Sequence, residues 1–277
     1  MTEAGTDSRN PPLLPANAGG IWLKRIATAA RARRRLVCFG HAGSTHADFA
    51  GWAADLGPRT DVVAVCLPGR RERIDEAPRC TIDPMANEIA NAICAAPPMP
   101  TTLFGHSFGG ILAYEVAQRM QRRDPGQLKS LVISACTCSP ATALDGVDET
   151  DQAAVLQAFE RRGYLSPEHL ANKKLIELVL PYLLADVLCK KRWQSDTWPP
   201  LGVPIHTFAW AQDPLVSPAA VRSWRAYASQ PAACEHLIFP GAHLEYLTRP
   251  PALFGALDRI LAHGPSGHAD AASRTGT

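Results

Sequence analysis

The stretch TTLFGHSFGG, residues 101–110, joins a short apolar run to a glycine-rich turn. Ser107 stands at the centre of its Gly-His-Ser-Phe-Gly pattern, and the following run from Ile111 to Arg123 has apolar residues at helical spacing. Glycines on both sides of a serine permit a tight turn between strand and helix, where a Cβ would collide with neighbouring backbone. The stretch therefore predicts a strand, a sharp turn and a helix, with Ser107 presented as a candidate nucleophile.

The rest of the chain repeats this alternation of short apolar runs and amphipathic stretches. Strands buried on both faces are predicted at residues 36–39, 62–67, 101–104, 128–135, 204–209 and 236–239. Helices are predicted at residues 84–95, 111–123, 218–229 and 253–262. Such alternation is typical of a mostly parallel sheet flanked by helices, so the predicted fold class is α/β.

Residues 145–198 interrupt that rhythm. They contain helical patterns at 152–162, 167–172 and 175–192 but no convincing strand. An insertion between two strands of a parallel sheet lies at their carboxyl edge, so we expect a helical lid above the site. We predict one domain over residues 21–262, preceded by a flexible lead-in at 1–20 and followed by a disordered tail at 263–277.

Composition and charge narrow the classes of partner. The formal net charge of +2 favours neither a nucleic acid nor a membrane as a partner. No apolar run approaches the roughly 18 residues that cross a bilayer. The sequence has no zinc-binding spacing, P-loop or dinucleotide fingerprint in its required context. We therefore expect no metal and no cofactor.

The eight cysteines could form four disulfides or remain reduced. Cys38, Cys66 and Cys136 lie in apolar runs, where a reduced cysteine behaves as a small hydrophobic side chain. The first twenty residues show no pattern of a signal peptide. Together these features favour reduced thiols and a cytoplasmic location.

A serine nucleophile needs a base and an orienting acid, which follow it along such a chain in the order Asp, His. Asp213 comes just after the strand predicted at 204–209, and His243 comes after the strand predicted at 236–239. We predict that they complete a catalytic triad with Ser107. The alternatives fit less well: Asp145 and Asp148 for the acid, and His206, His236, His263 and His268 for the base.

The oxyanion formed on attack needs two backbone N–H donors. One is predicted to be the amide of Phe108, directly after the nucleophile. The other is expected in the turn His41-Ala42-Gly43, with Ala42 as the donor, because its small residues let a peptide approach the substrate. His41 itself is interpreted chiefly as a residue that fixes this turn.

Six segments together resemble those of type II thioesterases, the stand-alone editing enzymes of polyketide and nonribosomal peptide synthesis, which have the α/β-hydrolase fold. The segments are LVCFGHAG at 36–43, LPGRRER at 67–73, GHSFG at 105–109, LPYLLAD at 180–186, DPLV at 213–216 and PGAH at 240–243. Four positions differ from the usual family pattern, which has Pro, Gly, Gly and Phe where this chain has Gly40, Ser44, Ala242 and Leu244. These differences leave the predicted triad intact and bear on the shape of the pocket.

The resemblance implies hydrolysis of a thioester on the phosphopantetheine arm of an acyl or peptidyl carrier protein, and we expect a monomer. Because such carriers are acidic, three basic clusters are candidate docking patches. The clusters are Arg31 with 33–35, Arg70 with Arg71 and Arg73, and 190–192. Each cluster taken alone could also be ordinary solvated surface. On the lid, Leu180, Leu183, Leu184 and Val187 share a helical spacing. We predict that Leu180, Leu184 and Val187 bind the acyl chain; the stripe could instead only pack the lid onto the core.

Two other function classes remain open from the sequence. One is a general carboxylesterase or an acyltransferase that uses the same triad. The other is a non-catalytic binding protein on a hydrolase scaffold, which a complete triad disfavours.

Overall fold

The computed structural model describes residues 20–27, 29–194 and 198–262, so the predicted tail and, apart from Gly20, the predicted lead-in lie outside the described residues. The strands are β1 Leu23–Arg25, β2 Arg34–Phe39, β3 Thr60–Val65, β4 Thr101–His106, β5 Leu128–Ser134, β6 Ile205–Trp210 and β7 His236–Phe239. The α-helices are α1 Trp52–Leu56, α2 Ile82–Cys94, α3 Phe108–Arg123, α4 Gln152–Arg161, α5 Pro167–Ala171, α6 Lys173–Arg192, α7 Pro218–Arg222 and α8 Pro251–Ala262.

The strands form one sheet in the order β1-β3-β2-β4-β5-β6-β7. β1 pairs antiparallel with β3, and the remaining pairings are parallel. The predicted α/β class with a mostly parallel sheet is confirmed. β1 was not predicted, because three residues are too few to show the alternation that identifies a strand.

The sheet separates two apolar cores. Along β2, Val37 and Phe39 pack on the face covered by α2 and α3, whereas Leu36 and Cys38 pack on the face covered by α1 and α8. Successive side chains of a strand point to opposite faces, so burial on both faces produces the continuous apolar runs of the sequence. The eight cysteines are free thiols.

Helices α4, α5 and α6 lie between β5 and β6 along the chain, within the segment predicted to form a lid. The helix predicted at 218–229 is shorter than expected: α7 ends at Arg222 and continues as a 3₁₀ turn to Tyr227. Within the described ranges, no helix combines the length and apolarity needed to cross a bilayer.

Candidate active site

Ser107 occupies the sharp turn between β4 and α3. Its backbone has φ 54° and ψ −122°, a conformation that non-glycine residues rarely adopt. The turn is held because the Ser107 N–H donates to the carbonyl of Ser134 on β5 at 2.8 Å. A Cβ on Gly105 would lie 2.3 Å from the carbonyl oxygen of Gly109, so a larger residue would open the turn. The glycine pattern thus keeps the Ser107 hydroxyl at the carboxyl edge of the sheet.

The structure brings Ser107, His243 and Asp213 together from three loops that follow β4, β7 and β6. His243 Nε2 lies 3.1 Å from Ser107 Oγ, and His243 Nδ1 lies 2.7 Å from Asp213 Oδ2. Both distances are within hydrogen-bonding range. The Asp213 side chain is fully buried, and the His243 side chain is 13% exposed. The geometry suits transfer of a proton from the serine hydroxyl to the imidazole.

The loop after β6 aims the carboxylate of Asp213. Asp213 Oδ1 accepts hydrogen bonds from the amides of Leu215 at 2.8 Å and Val216 at 3.1 Å. This leaves Oδ2 directed at the imidazole of His243. The same aspartate therefore closes its own turn and orients the imidazole of His243.

The alternative acids and bases have other contacts. Asp145 accepts hydrogen bonds from Thr142, and Asp148 accepts them from Thr150, each in an exposed position. His206 and His236 lie on β6 and β7 and contact the backbone of Glu235 and the hydroxyl of Thr207. His263 and His268 lie outside the described residues.

The amides of Phe108 and Ala42 are predicted to form the oxyanion hole. They belong to two backbone segments that touch each other, the start of α3 and the end of β2. Phe108 is the first residue of α3, and the first amides of a helix have no intrahelical acceptor. Ala42 follows β2 and lines the same cavity as Ser107. A Cβ on Gly109 would lie 2.3 Å from the carbonyl oxygen of Phe39, so α3 rests directly on the end of β2.

Two neutral histidines and a tyrosine pack behind Ser107 and His243. His41 Nδ1 lies 2.7 Å from the hydroxyl of Tyr246, and the ring of His106 stacks on Tyr246 with centroids 4.1 Å apart. Desolvation, followed by the charge of His243, lowers the pKa of His41 to about 4 and that of His106 well below its usual value. Both rings are therefore uncharged near neutral pH and hold the loops around His243 in place.

Sequence reasoning missed the roles of His106 and Tyr246. The available signals were weak, namely the position of His106 next to the nucleophile and that of Tyr246 three residues after the base. Stacking across 140 residues of chain follows from the fold and not from any local pattern.

A cavity of about 450 Å³ opens above Ser107. Its floor contains Ser107 and His243 with the turn at Ala42, and its roof is formed by lid residues. The lid residues that line it are Arg162, Gly163, Tyr164, Leu165, His169, Leu175, Val179, Tyr182 and Leu183. The lid thus covers the candidate nucleophile.

The three lid residues predicted to bind the acyl chain lie elsewhere. Leu180 and Leu184 line a separate groove beside α4, and Val187 is buried in the core, 2% exposed. Of the predicted stripe, only Leu183 lines the cavity, beside Val179 one helical turn away. Residues four apart share a helix face, and α6 has two adjacent apolar faces. The sequence did not show which face points toward Ser107.

Most cations of the basic clusters form ion pairs within the protein, which weakens the interpretation of these clusters as docking patches. Arg70 and Arg73 are buried, and only Arg71 of that cluster is exposed. In the other two clusters, Arg34 pairs with Asp258, Arg35 pairs with Asp61, and Lys191 and Arg192 both pair with Glu149. The cluster around Arg34 also lies at the amino end of β2, opposite the edge that carries Ser107.

Residues 34–261 match the family model of the thioesterase domain. The chain belongs to the thioesterase family. The family places this thioesterase among hydrolases that act on thioesters, and the predicted resemblance to type II thioesterases is confirmed by the relatives and the solved structure described next.

This thioesterase is 33% identical over 223 residues to the AMB antimetabolite synthetase AmbE of Pseudomonas aeruginosa, a match that covers 79% of this chain and 10% of AmbE. It is 26% identical to a probable cadicidin biosynthesis thioesterase of Streptomyces griseus, over 87% of this chain and 66% of that protein. The structure of BorB, a type II thioesterase from the borrelidin biosynthetic cluster, superposes with a TM-score of 0.73 and is 28% identical. That superposition covers 88% of this chain and 97% of BorB.

Proposed function

We propose that this thioesterase hydrolyses acyl groups from the phosphopantetheine arm of carrier proteins, as an editing enzyme of polyketide or nonribosomal peptide synthesis. Ser107 is the nucleophile, His243 the base and Asp213 the orienting acid. The observation that carries the proposal is the hydrogen-bonded chain from Asp213 through His243 to Ser107 beneath a cavity roofed by the lid.

The first half-reaction acylates the enzyme. His243 Nε2 accepts the proton of the Ser107 hydroxyl as Oγ attacks the thioester carbonyl. Asp213 holds the imidazole and stabilises its cation, while the amides of Ala42 and Phe108 stabilise the oxyanion. The thiol of the arm then leaves with the proton carried by His243, and the acyl group remains on Ser107.

The second half-reaction releases the acid. A water molecule attacks the acyl-enzyme and gives its proton to His243, and the resulting tetrahedral intermediate occupies the same oxyanion hole. As that intermediate collapses, the bond between Ser107 Oγ and the acyl carbon breaks, His243 returns its proton to Oγ, and the carboxylic acid leaves. No step requires a group beyond the triad, the two amides and water.

Two observations support a carrier-bound substrate. The relatives AmbE, the cadicidin thioesterase and BorB bear the names of biosynthetic systems. In addition, exposed Arg162 lines the cavity from the lid side, where its guanidinium suits the phosphodiester of an incoming phosphopantetheine arm. We propose that Arg162 is a contact for that phosphate.

The test compares one acyl group on three leaving groups: a carrier protein, a short free thiol without phosphate, and an alcohol. We expect kcat/KM to be highest for the carrier and lowest for the oxygen ester. Arg162→Gln should raise KM for the carrier-bound thioester several-fold and leave the free thioester unchanged. Preference for the oxygen ester would identify a carboxylesterase.

A second arm separates hydrolysis from acyl transfer. Released acid and acylated acceptor are measured together in the presence of an amine or alcohol acceptor. We expect free acid as the product in an amount equal to the thiol released. Acylated acceptor as the main product would overturn the proposal of a hydrolase, and activity that survives Ser107→Ala would overturn the proposed nucleophile.

A further inference from the structure

The buried ion pair between Arg70 and Asp186 touches the backbone turn that contains Ala42. We propose that Arg70 and Asp186 are positioning residues that hold this turn in place as part of the oxyanion hole and tie it to lid helix α6. The inference rests on the proposed function, because it assigns the Ala42 amide to the oxyanion. It also gives a role to two family motifs, LPGRRER and LPYLLAD, that the triad does not use.

The pair contacts the turn through both partners. Asp186 Oδ2 accepts a hydrogen bond from the amide of Gly43 at 2.9 Å, and Arg70 Nη1 donates to the carbonyl of Ser44 at 3.0 Å. Two further bonds of 2.8 Å join the guanidinium to the carboxylate. A bidentate pair of this kind fixes orientation as well as distance.

The opposite side of the turn is held independently. His41 is bound to Tyr246 by the 2.7 Å contact described above. The peptide of Ala42 therefore lies between one anchor on the sheet side and another made by Arg70 and Asp186. Removal of the second anchor leaves Gly43 and Ser44 without their side-chain partners and frees half of the turn.

The lid packs on the same few atoms. Leu183 Cδ1 lies 3.2 Å from the position of a Cβ on Gly43, and the ring centroid of Tyr182 lies 4.5 Å from Cζ of Arg70. Tyr182, Leu183 and Asp186 all belong to α6, so this helix reaches the turn with three side chains. Movement of α6 away from the core breaks the bond from Gly43 to Asp186, so the hole is complete only when α6 is docked.

Stability alone does not account for this pair. Arg70 is 5% exposed and Asp186 is 1% exposed, and burial of two charges costs solvation that their attraction roughly repays. Apolar residues of similar size at such sites often stabilise a fold equally well. What apolar residues cannot supply is an acceptor for the Gly43 amide and a donor for the Ser44 carbonyl.

The test uses a double variant that removes both charges, Arg70→Met with Asp186→Leu, together with the single variant Arg70→Lys. The matched control is Arg73→Lys, since Arg73 is a buried arginine of the same motif that contacts Cys66 and Glu76 instead of the turn. Four quantities are measured for each variant. They are the melting temperature, kcat on a short free thioester, Ki of a trifluoromethyl ketone, and Kd of a non-hydrolysable substrate analogue in which an amide replaces the thioester. The ketone forms a tetrahedral adduct with Ser107, whereas the amide reports ground-state binding.

We expect the double variant to fold, with a melting temperature somewhat below that of the wild type because the Gly43 amide and the Ser44 carbonyl lose their side-chain partners. Its kcat should fall about 10- to 100-fold, and Ki of the ketone should rise by a similar factor, because loss of one oxyanion donor costs on the order of 10²-fold. Kd of the amide should change by less than about twofold, and Arg73→Lys should keep kcat within about twofold.

Two results would overturn the inference. One is a folded double variant whose kcat stays within about twofold of the wild type. The other is an equal weakening of ketone and amide, which indicates general damage to the cavity. If the double variant does not fold, the ratio of ketone to amide affinity in Arg70→Lys decides by the same criterion. Full activity of Ser107→Ala would instead reject the proposed function and leave the role of the pair in the fold intact.

Discussion

The cavity has two walls that are held in different ways. The sheet edge carries Ser107, Asp213 and His243 in short loops, where local hydrogen bonds and close glycine contacts fix the side chains. The lid is fixed mainly by side chains that reach across the molecule, such as Asp186 to Arg70. The placement of Ser107, Asp213 and His243 therefore depends on local backbone geometry, whereas the shape of the cavity and the hold on the turn at Ala42 depend on tertiary packing.

The far end of the lid shows the same kind of attachment. The buried carboxylate of Glu115 on α3 accepts hydrogen bonds from the indole N–H of Trp193 at 2.8 Å and of Trp198 at 2.9 Å. Arg119 completes the shell around Glu115 at 2.7 Å. The carboxyl-terminal part of α6 is thus anchored at Asp186 and, just after the helix end, at Trp193. The cavity-lining residues Val179 and Leu183 precede both anchors, and changes there should alter substrate choice.

The largest effect is expected at the sheet edge. Ser107→Ala should lower kcat by about 10⁴-fold or more, because no other group described at the site can attack the carbonyl. The measurement is hydrolysis of a free acyl thioester, with circular dichroism as the control for folding. Activity within tenfold of the wild type would show that the nucleophile lies elsewhere.

Asp213→Asn should lower kcat by about 10³- to 10⁴-fold, since the amide can present a donor where the imidazole N–H needs an acceptor. KM should change little. Asp145→Asn is the matched control and should retain activity, because its carboxylate serves only its own turn. The reverse pattern would move the acid to the loop after β5.

On the lid, Leu183→Ala should change selectivity. It enlarges the cavity beside Val179, so the ratio of kcat/KM for long to short acyl chains should rise about tenfold, as expected for a few methylene groups in an apolar pocket. Leu184→Ala is the control, since Leu184 lines the separate groove. A uniform loss over all chain lengths would mean that Leu183 only packs the lid.

The smallest effect concerns stability and pH. Because the pKa of His41 is lowered to about 4 in the folded protein, the unfolded state binds more protons between that pH and the ordinary value near 6.5. The free energy of unfolding should therefore fall as the pH drops from 6.5 toward 4, by about 1 kcal/mol per pH unit from this group. Above pH 6.5 its contribution is constant.

Chemical denaturation at several pH values measures this slope, and His41→Asn supplies the comparison. The variant should lose less stability than the wild type between pH 6.5 and 4.5, because asparagine does not titrate there. Equal slopes for the two proteins would mean that His41 does not contribute to acid sensitivity.

The sequence was most informative where structure is local. The segment around Ser107 predicted its own turn because glycine spacing and the flanking runs encode a strand, a turn and a helix within residues 101–123. Asp213 and His243 could be proposed because each follows a predicted strand, and carboxyl ends of parallel strands meet at one edge. In the structure, His243 does lie within hydrogen-bonding distance of both Ser107 and Asp213.

Tertiary placement was beyond the sequence. Arg70 and Arg73 look like surface charges in a motif with three arginines, and only the fold shows Asp186 beside one and the ring of Trp22 4.1 Å from the other. The helical spacing of apolar residues on α6 likewise did not show which face of the helix points toward Ser107. The charge of a residue and the spacing of apolar residues can be read from the sequence. The partner that a side chain contacts depends on packing between segments that are distant along the chain.

The contact of Gly109 with the end of β2 also has an evolutionary consequence. A single methyl group there would sit 2.3 Å from the carbonyl oxygen of Phe39 and 2.4 Å from that of Gly40. Any substitution must push apart the two backbone segments that carry the Phe108 and Ala42 amides. A protein that keeps this site is therefore expected to keep glycine at position 109.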